Sequence, residues 1–207
     1  MRQMTGKQSI SFAKAVYIEG SAAIVGEKEK DGPLGEYFSH TLSDPMCGQE
    51  SWEEGESELQ LATAKLAMQK ANVRPEQIRM IFAGDLLAQS IASSFGLVDL
   101  NCPLYGLFGA CSTMGEAMIL GAMAAGAGYA DRVLALASGH FGTAEKEFRF
   151  PLAYGNQRPP SASWTVTGSG ACVLGKTKSR VKITGATTGK IIDYGLKDNQ
   201  NMGACMA

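Results

Sequence analysis

The run from Gly106 to Met118 (GLFGACSTMGEAM) limits the possible folds more than any other part of the chain. An apolar stretch over residues 102–108 has the character of a buried strand, and Gly109 breaks it. Cys111 follows, then Ser112 and Thr113, residue types that cap helices, and then a segment rich in Ala, Met and Gly. The pattern is strand, sharp turn, helix, with the cysteine held at the helix entrance. Unpaired backbone N–H groups and the helix dipole favour negative charge there, which draws a thiol towards thiolate. The competing role for a free cysteine is that of a small buried hydrophobe.

The same alternation runs along the rest of the chain. Residues 15–25 (AVYIEGSAAIV) are strand-like, and residues 27–49 form an irregular excursion carrying Gly, Pro and charge. Ser51 and Glu54 have capping-box spacing and open a helix through Leu59, Ala62, Leu66 and Ala67 to about Asn72. Residues 79–83 (RMIFA) are a short strand ending at Gly84-Asp85, and residues 87–95 are helical, closing at Gly96. After the helix from Ser112 to about Ala127, residues 132–137 (RVLALA) read as a buried strand ending at Ser138-Gly139-His140. Residues 141–165 lack periodicity, and a strand resumes over 171–174. The order βαβαβαββ predicts an α/β fold, a mostly parallel sheet flanked by helices. Ligands of such sheets sit at the carboxyl ends of the strands, where Asp85, Cys111 and His140 all fall.

Composition narrows the function. With 207 residues, 45% hydrophobic and 19% charged, the chain is globular, and a net charge of −1 gives no footprint for nucleic acid or for an anionic membrane surface. Five cysteines without a CxxC, and two histidines, predict neither a metal site nor a disulfide framework. The apolar segment over 114–137 is interrupted by Glu116, Asp131 and Arg132, so no membrane span is expected, and residues 1–16 have no apolar core of signal type. The expectation is a soluble protein of a reducing compartment with no cofactor.

A faint echo links residues 16–23 (VYIEGSAA) to residues 181–188 (VKITGATT), both V-x-I-x-G followed by small residues. With the strand order, the Cys at the third helix entrance and the GSGA element at 168–171, it resembles the thiolase and ketoacyl-synthase superfamily, with a second copy of the unit starting near Val181. The strings KEKDGPLG (28–35), AGDLL (83–87), LFGACST (107–113), TVTGSGA (165–171) and DNQNMG (198–203) resemble one branch of it, the stage V sporulation protein AD family of spore-forming bacteria.

That resemblance implies a first thiolase-like half over residues 1–178 and the truncated start of a second over 179–207. It implies a non-catalytic protein that binds dipicolinic acid (pyridine-2,6-dicarboxylate), alone or with Ca²⁺, during uptake into the forespore and release at germination. Other stage V sporulation A membrane proteins are the implied partners, at the periphery of the inner spore membrane. A homodimer is expected too, because half a thiolase unit leaves an apolar face to cover. The partner His or Asn residues of condensing enzymes come from the second half and are absent here, so the alternative, an acyltransferase with Cys111 as nucleophile, lacks its base. Expected ligand-binding residues are Cys111, Ser112 and Thr113 at the helix entrance, His140 and Asp85 at neighbouring strand ends, and Arg149 and Arg158 from the long loop. Phe148, Phe150 and Tyr154 offer ring faces for stacking or for packing. His140 is otherwise a histidine satisfied by backbone, Asp85 a cap for the next helix, and each Arg a solvated or dimer-contact residue. Asp85 opposes a dianion unless it is protonated, turned away or bridged by Ca²⁺.

Overall fold

The computed structural model describes residues 4–148, 165–197 and 203–204. Its strands are β1 (Met4–Thr5), β2 (Ser9–Val25), β3 (His40–Thr41), β4 (Met80–Gly84), β5 (Leu104–Leu107), β6 (Arg132–Gly139), β7 (Gly168–Gly175) and β8 (Val181–Thr187). The helices are α1 (Glu27–Lys30), α2 (Trp52–Ala71), α3 (Ile91–Gly96), α4 (Thr113–Ala127) and α5 (Phe141–Phe148). Along the sheet the order is β1-β2-β7-β6-β4-β5. Strands β6, β4 and β5 are mutually parallel, and β7 runs against both β6 and β2. The expected α/β architecture, with helices flanking a mostly parallel sheet, is the one observed.

Period-two alternation of the buried strands divides the core into two layers. Ile81, Ala83, Leu134, Leu136, Ala171 and Val173 face α2, where Ala64, Ala67 and Met68 meet them. Phe82, Val133, Ala135, Cys172 and Leu174 face the other way, onto Ala117, Ala122 and Ala125 of α4. Each large aliphatic side chain so buried contributes about 1.5–3 kcal/mol. Small residues on both helices let them lie close to the sheet. At Gly20, beside a register shift in β2, an added Cβ would come within 2.6 Å of the Ala71 nitrogen, so α2 rests its last turn on that glycine.

Helix α2 begins and ends as its sequence predicts. Ser51 Oγ accepts from Glu54 N at 3.2 Å and Glu54 Oε2 accepts from Ser51 N at 3.1 Å, while Asn72 closes the helix at φ +53°. Three expectations are corrected. The strand over 102–108 shortens to Leu104–Leu107 and is an edge, with Tyr105 and the neighbouring Phe108 exposed. An apolar run alone does not distinguish a central strand from an edge one. The aperiodic segment after His140 opens with helix α5, and the strand expected over 171–174 extends over Gly168–Gly175. Apart from these, β8 adds to the outer side of β2 (Val16↔Ile183, Tyr17↔Lys182, Ile18↔Val181), so the two V-x-I motifs hydrogen-bond each other.

Candidate functional site at the carboxyl ends of the strands

Strands β4, β5 and β6 end side by side, followed by Asp85, the Gly109–Thr113 turn and His140 respectively. The turn holds Cys111 in a single 3-10 turn, Ala110–Ser112, that runs into α4. Ser112 Oγ donates to Gly109 O (2.8 Å), and Thr113 Oγ1 accepts the Gly109 N–H (3.1 Å). At Gly109 a Cβ would lie 2.5 Å from Glu116 Oε2 and 2.6 Å from Ser112 Oγ, so both side chains would have to move to admit one. Ala110 sits at φ +47°, a left-handed conformation that a residue with a Cβ adopts at a cost. The turn presents Cys111 to solvent.

Gln89 and Ser90, in the segment between β4 and α3, are also left-handed, at φ +61° and +53°. Gly84 lets the end of β4 lie close against β5 and the start of α4, because a Cβ there would meet the Leu107 carbonyl and the Thr113 methyl.

Asp85, His140 and Thr113 are turned inward. Asp85 is 1% exposed, and its Oδ1 accepts from Leu87 N (2.9 Å) while Oδ2 accepts from Ser93 N (2.8 Å) and Ser93 Oγ (2.6 Å). It shapes the following turn and caps backbone instead of facing a ligand. His140 is fully buried: Nδ1 accepts the Gly142 N–H at 3.1 Å, which leaves the proton on Nε2 for the Pro45 carbonyl at 2.8 Å. Burial pushes its pKa below the ordinary imidazole value, against a smaller opposing effect of the Pro45 carbonyl. The ring is therefore neutral with both nitrogens committed. Thr113 is buried with its hydroxyl bracing the turn, and Ser112 spends its donor on Gly109. Of the five expected residues in this region, Cys111 and Ser112 are exposed, and the Ser112 hydroxyl proton is spent on Gly109. Arg149, Arg158, Phe150 and Tyr154 lie outside the described residues, as does the side chain of Phe148.

Residues 6–207 match the family described as Stage V sporulation protein AD. The chain is also 40% identical over 205 residues to stage V sporulation protein AD of Bacillus subtilis (strain 168), covering 99% of this chain and 61% of that protein. The chain belongs to the stage V sporulation protein AD family. It spans less than two thirds of the length of this relative. Solved structures of the same fold include a variant of Xanthomonas campestris OleA (17% identity, TM-score 0.53, covering 80% of this chain and 57% of that one). They also include 3-oxoacyl-[acyl-carrier-protein] synthase III of Aquifex aeolicus VF5 (16%, TM-score 0.52, 80% and 55%). The fold is thus thiolase-like, of the ketosynthase type. Among the described residues, no helix is long and apolar enough to cross a membrane.

This family member carries a second polar feature at the same sheet end, on α2, that is not among the expected site residues. Glu56 and Gln60 are fully buried one helical turn apart. Gln60 Nε2 donates to Ser138 Oγ (2.7 Å) and Ser93 Oγ (3.0 Å), with a longer contact to Gly84 O (3.3 Å). Glu56 bonds Ser138 Oγ (2.6 Å) and Thr143 Oγ1 (2.5 Å), and Thr143 reaches the His140 carbonyl at 3.0 Å. One network therefore ties Asp85, Ser93, Gln60, Ser138, Glu56 and Thr143 together beneath the strand ends. Burial pushes the Glu56 carboxyl above the ordinary carboxylate value; the Ser138 and Thr143 bonds lower it, and Asp85 and Glu53 raise it further. The available signal was the face it shares: residues 56, 60, 63 and 67 follow the helical period that buries Leu59 and Ala64.

Proposed function

We propose that this family member binds dipicolinate, free or as its Ca²⁺ complex, over the Cys111 turn and does not transform it. The observation that supports this reading is an exposed Cys111 at the entrance of α4 with no base beside it among the described residues, since both His140 nitrogens are committed to Pro45 and Gly142. A nucleophilic cysteine needs a base within hydrogen-bond reach. The turn offers a carboxylate the entrance of the 15-residue helix α4, which has no side-chain cap. Glu116 in the first turn of α4 opposes a free dianion, which favours the Ca²⁺ complex. On this reading the protein serves dipicolinate uptake during sporulation and release at germination. It does so at the periphery of the inner spore membrane, with other stage V sporulation A membrane proteins and as a homodimer. Support for pairing comes from the edge strand β5 with exposed Tyr105 and Phe108, and from Leu120 and Met123 exposed on α4.

The test is calorimetric titration of dipicolinate, with and without Ca²⁺, on a chain of the relatives' full length. Cys111→Ala keeps the turn and weakens binding modestly, whereas Cys111→Phe fills the site and abolishes binding. Wild-type affinity in the Phe variant refutes the location. A stable acyl adduct on Cys111 after incubation with acyl-CoA donors, read by mass spectrometry, refutes the non-catalytic role in favour of acyl transfer.

A further inference from the structure

A cavity of about 220 Å³ lies away from the Cys111 turn, at the carboxyl end of β2. Gly26, Leu42, Pro45, Phe141 and Thr167 form its wall, and Glu27, Lys28 and Glu29 stand at its mouth. Its wall is fixed on both sides. Gly26 N donates to Thr167 O at 2.9 Å, Leu42 N to Val25 O at 2.8 Å, and Thr167 Oγ1 accepts from Phe141 N at 3.1 Å. The Phe141 ring is stacked on His140 (5.1 Å) and meets Trp52 edge to face (4.4 Å), so the aromatic wall is held from behind. His140 in turn donates to Pro45, another wall residue.

The chemistry of the opening is one-sided. Glu29 is half-buried and keeps its carboxylate at the mouth, with Oε1 accepting from Thr167 N at 3.2 Å. Among the described lining residues, Glu27 adds a second carboxylate against one ammonium, that of Lys28. A rigid apolar slot with an aromatic wall accepts one flat ring, and a mouth with an excess of carboxylate selects the charge carried at the ring's edge. We propose that this cavity is a binding site for a small monocyclic aromatic cation, such as an aryl amidine or an aryl amine. The site is independent of the dipicolinate reading, since its charge disfavours an aromatic dianion.

Benzamidine is the probe, with benzoate and benzyl alcohol as its anionic and neutral counterparts, read by saturation-transfer NMR on the 207-residue chain. Benzamidine binds saturably and about tenfold tighter than benzoate, the preference expected from partly exposed charges acting on ligands of opposite sign. Leu42→Trp fills the slot and removes binding of both benzamidine and benzyl alcohol, while circular dichroism reports on the fold. The pair Glu27→Gln and Glu29→Gln, which keeps an acceptor for Thr167, weakens benzamidine about fivefold or more and leaves benzyl alcohol unchanged. Cys111→Phe leaves benzamidine binding intact, which separates this site from the dipicolinate site. Benzoate binding as tightly as benzamidine, or benzamidine binding retained in a folded Leu42→Trp chain, overturns the proposal.

Discussion

Glu56→Gln tests the buried network most directly. Thr143 Oγ1 lies within hydrogen-bond distance of both Glu56 Oε2 and the His140 carbonyl, and its hydroxyl has one proton to give. If Glu56 is protonated, both contacts are satisfied at once: the carboxyl donates to Thr143, and Thr143 donates to His140 O. Burial, which pushes the Glu56 carboxyl up, acts in the same direction. Glutamine reproduces that arrangement, with its amide N–H in place of the acid proton and Oε1 still accepting from Ser138.

The sign follows from linkage. A carboxyl whose folded pKa is raised keeps its proton in the folded state while the unfolded chain releases it, so stability declines as pH climbs above the ordinary carboxylate value. The decline ends when pH passes the raised folded value. Its slope is at most about 1.4 kcal/mol per pH unit for one proton. Glu56→Gln removes that slope: the variant matches wild type within about 1 kcal/mol at low pH and gains on it through the window. Glu56→Ala, by contrast, empties a fully buried position and strands two hydroxyls, with a loss of about 3 kcal/mol at every pH. Urea unfolding followed by circular dichroism from pH 4 to pH 8 measures all three chains. A Glu56→Gln chain that keeps the wild-type pH slope shows that Glu56 is ionised in the fold and refutes the arrangement.

Two further outcomes are expected. Cys111 alkylates faster with iodoacetamide at pH 8 than Cys47, Cys102 or Cys172, because burial raises Cys47 and Cys172 to about 11 and also pushes Cys102 upward, leaving on the order of one thiolate per thousand at Cys172; peptide mapping that finds Cys111 slower than Cys102 or Cys172 contradicts the exposed turn. Gly142→Ala places a Cβ within 1.4 Å of the Trp52 ring, so α5 must shift and stability falls by about 3 kcal/mol; an unfolding midpoint equal to wild type shows that α5 does not pack on Trp52.

How far the sequence discloses this protein depends on how local each cause is. The start of α2 was legible because Ser51 and Glu54 complete a capping box within one turn, and the helix entrance at Cys111 because Gly109 and its hydroxyl neighbours break an apolar run. The position of β5 was not, since edge or centre is decided by strand order, and the strands beside it come from distant parts of the chain. Asp85 and His140 show the same limit at the site. Their places after β4 and β6 followed from the pattern, but their orientation is set by Ser93, Pro45 and Gly142, and two of those partners are not predictable as neighbours from spacing. Glu56 was hidden more deeply. It stands in an acid-rich stretch with Glu53, Glu54 and Glu58, the usual mark of a solvated face, and is buried because Ser138 and Thr143, more than eighty residues away, supply its hydrogen bonds. A polar side chain tolerates burial only where such partners converge, so its role is written in tertiary contacts and not in its own segment. Cys111 is the converse case: its turn is braced by Gly109, Ser112 and Thr113, all within four residues, and the same local bonds that made it legible keep it at the surface.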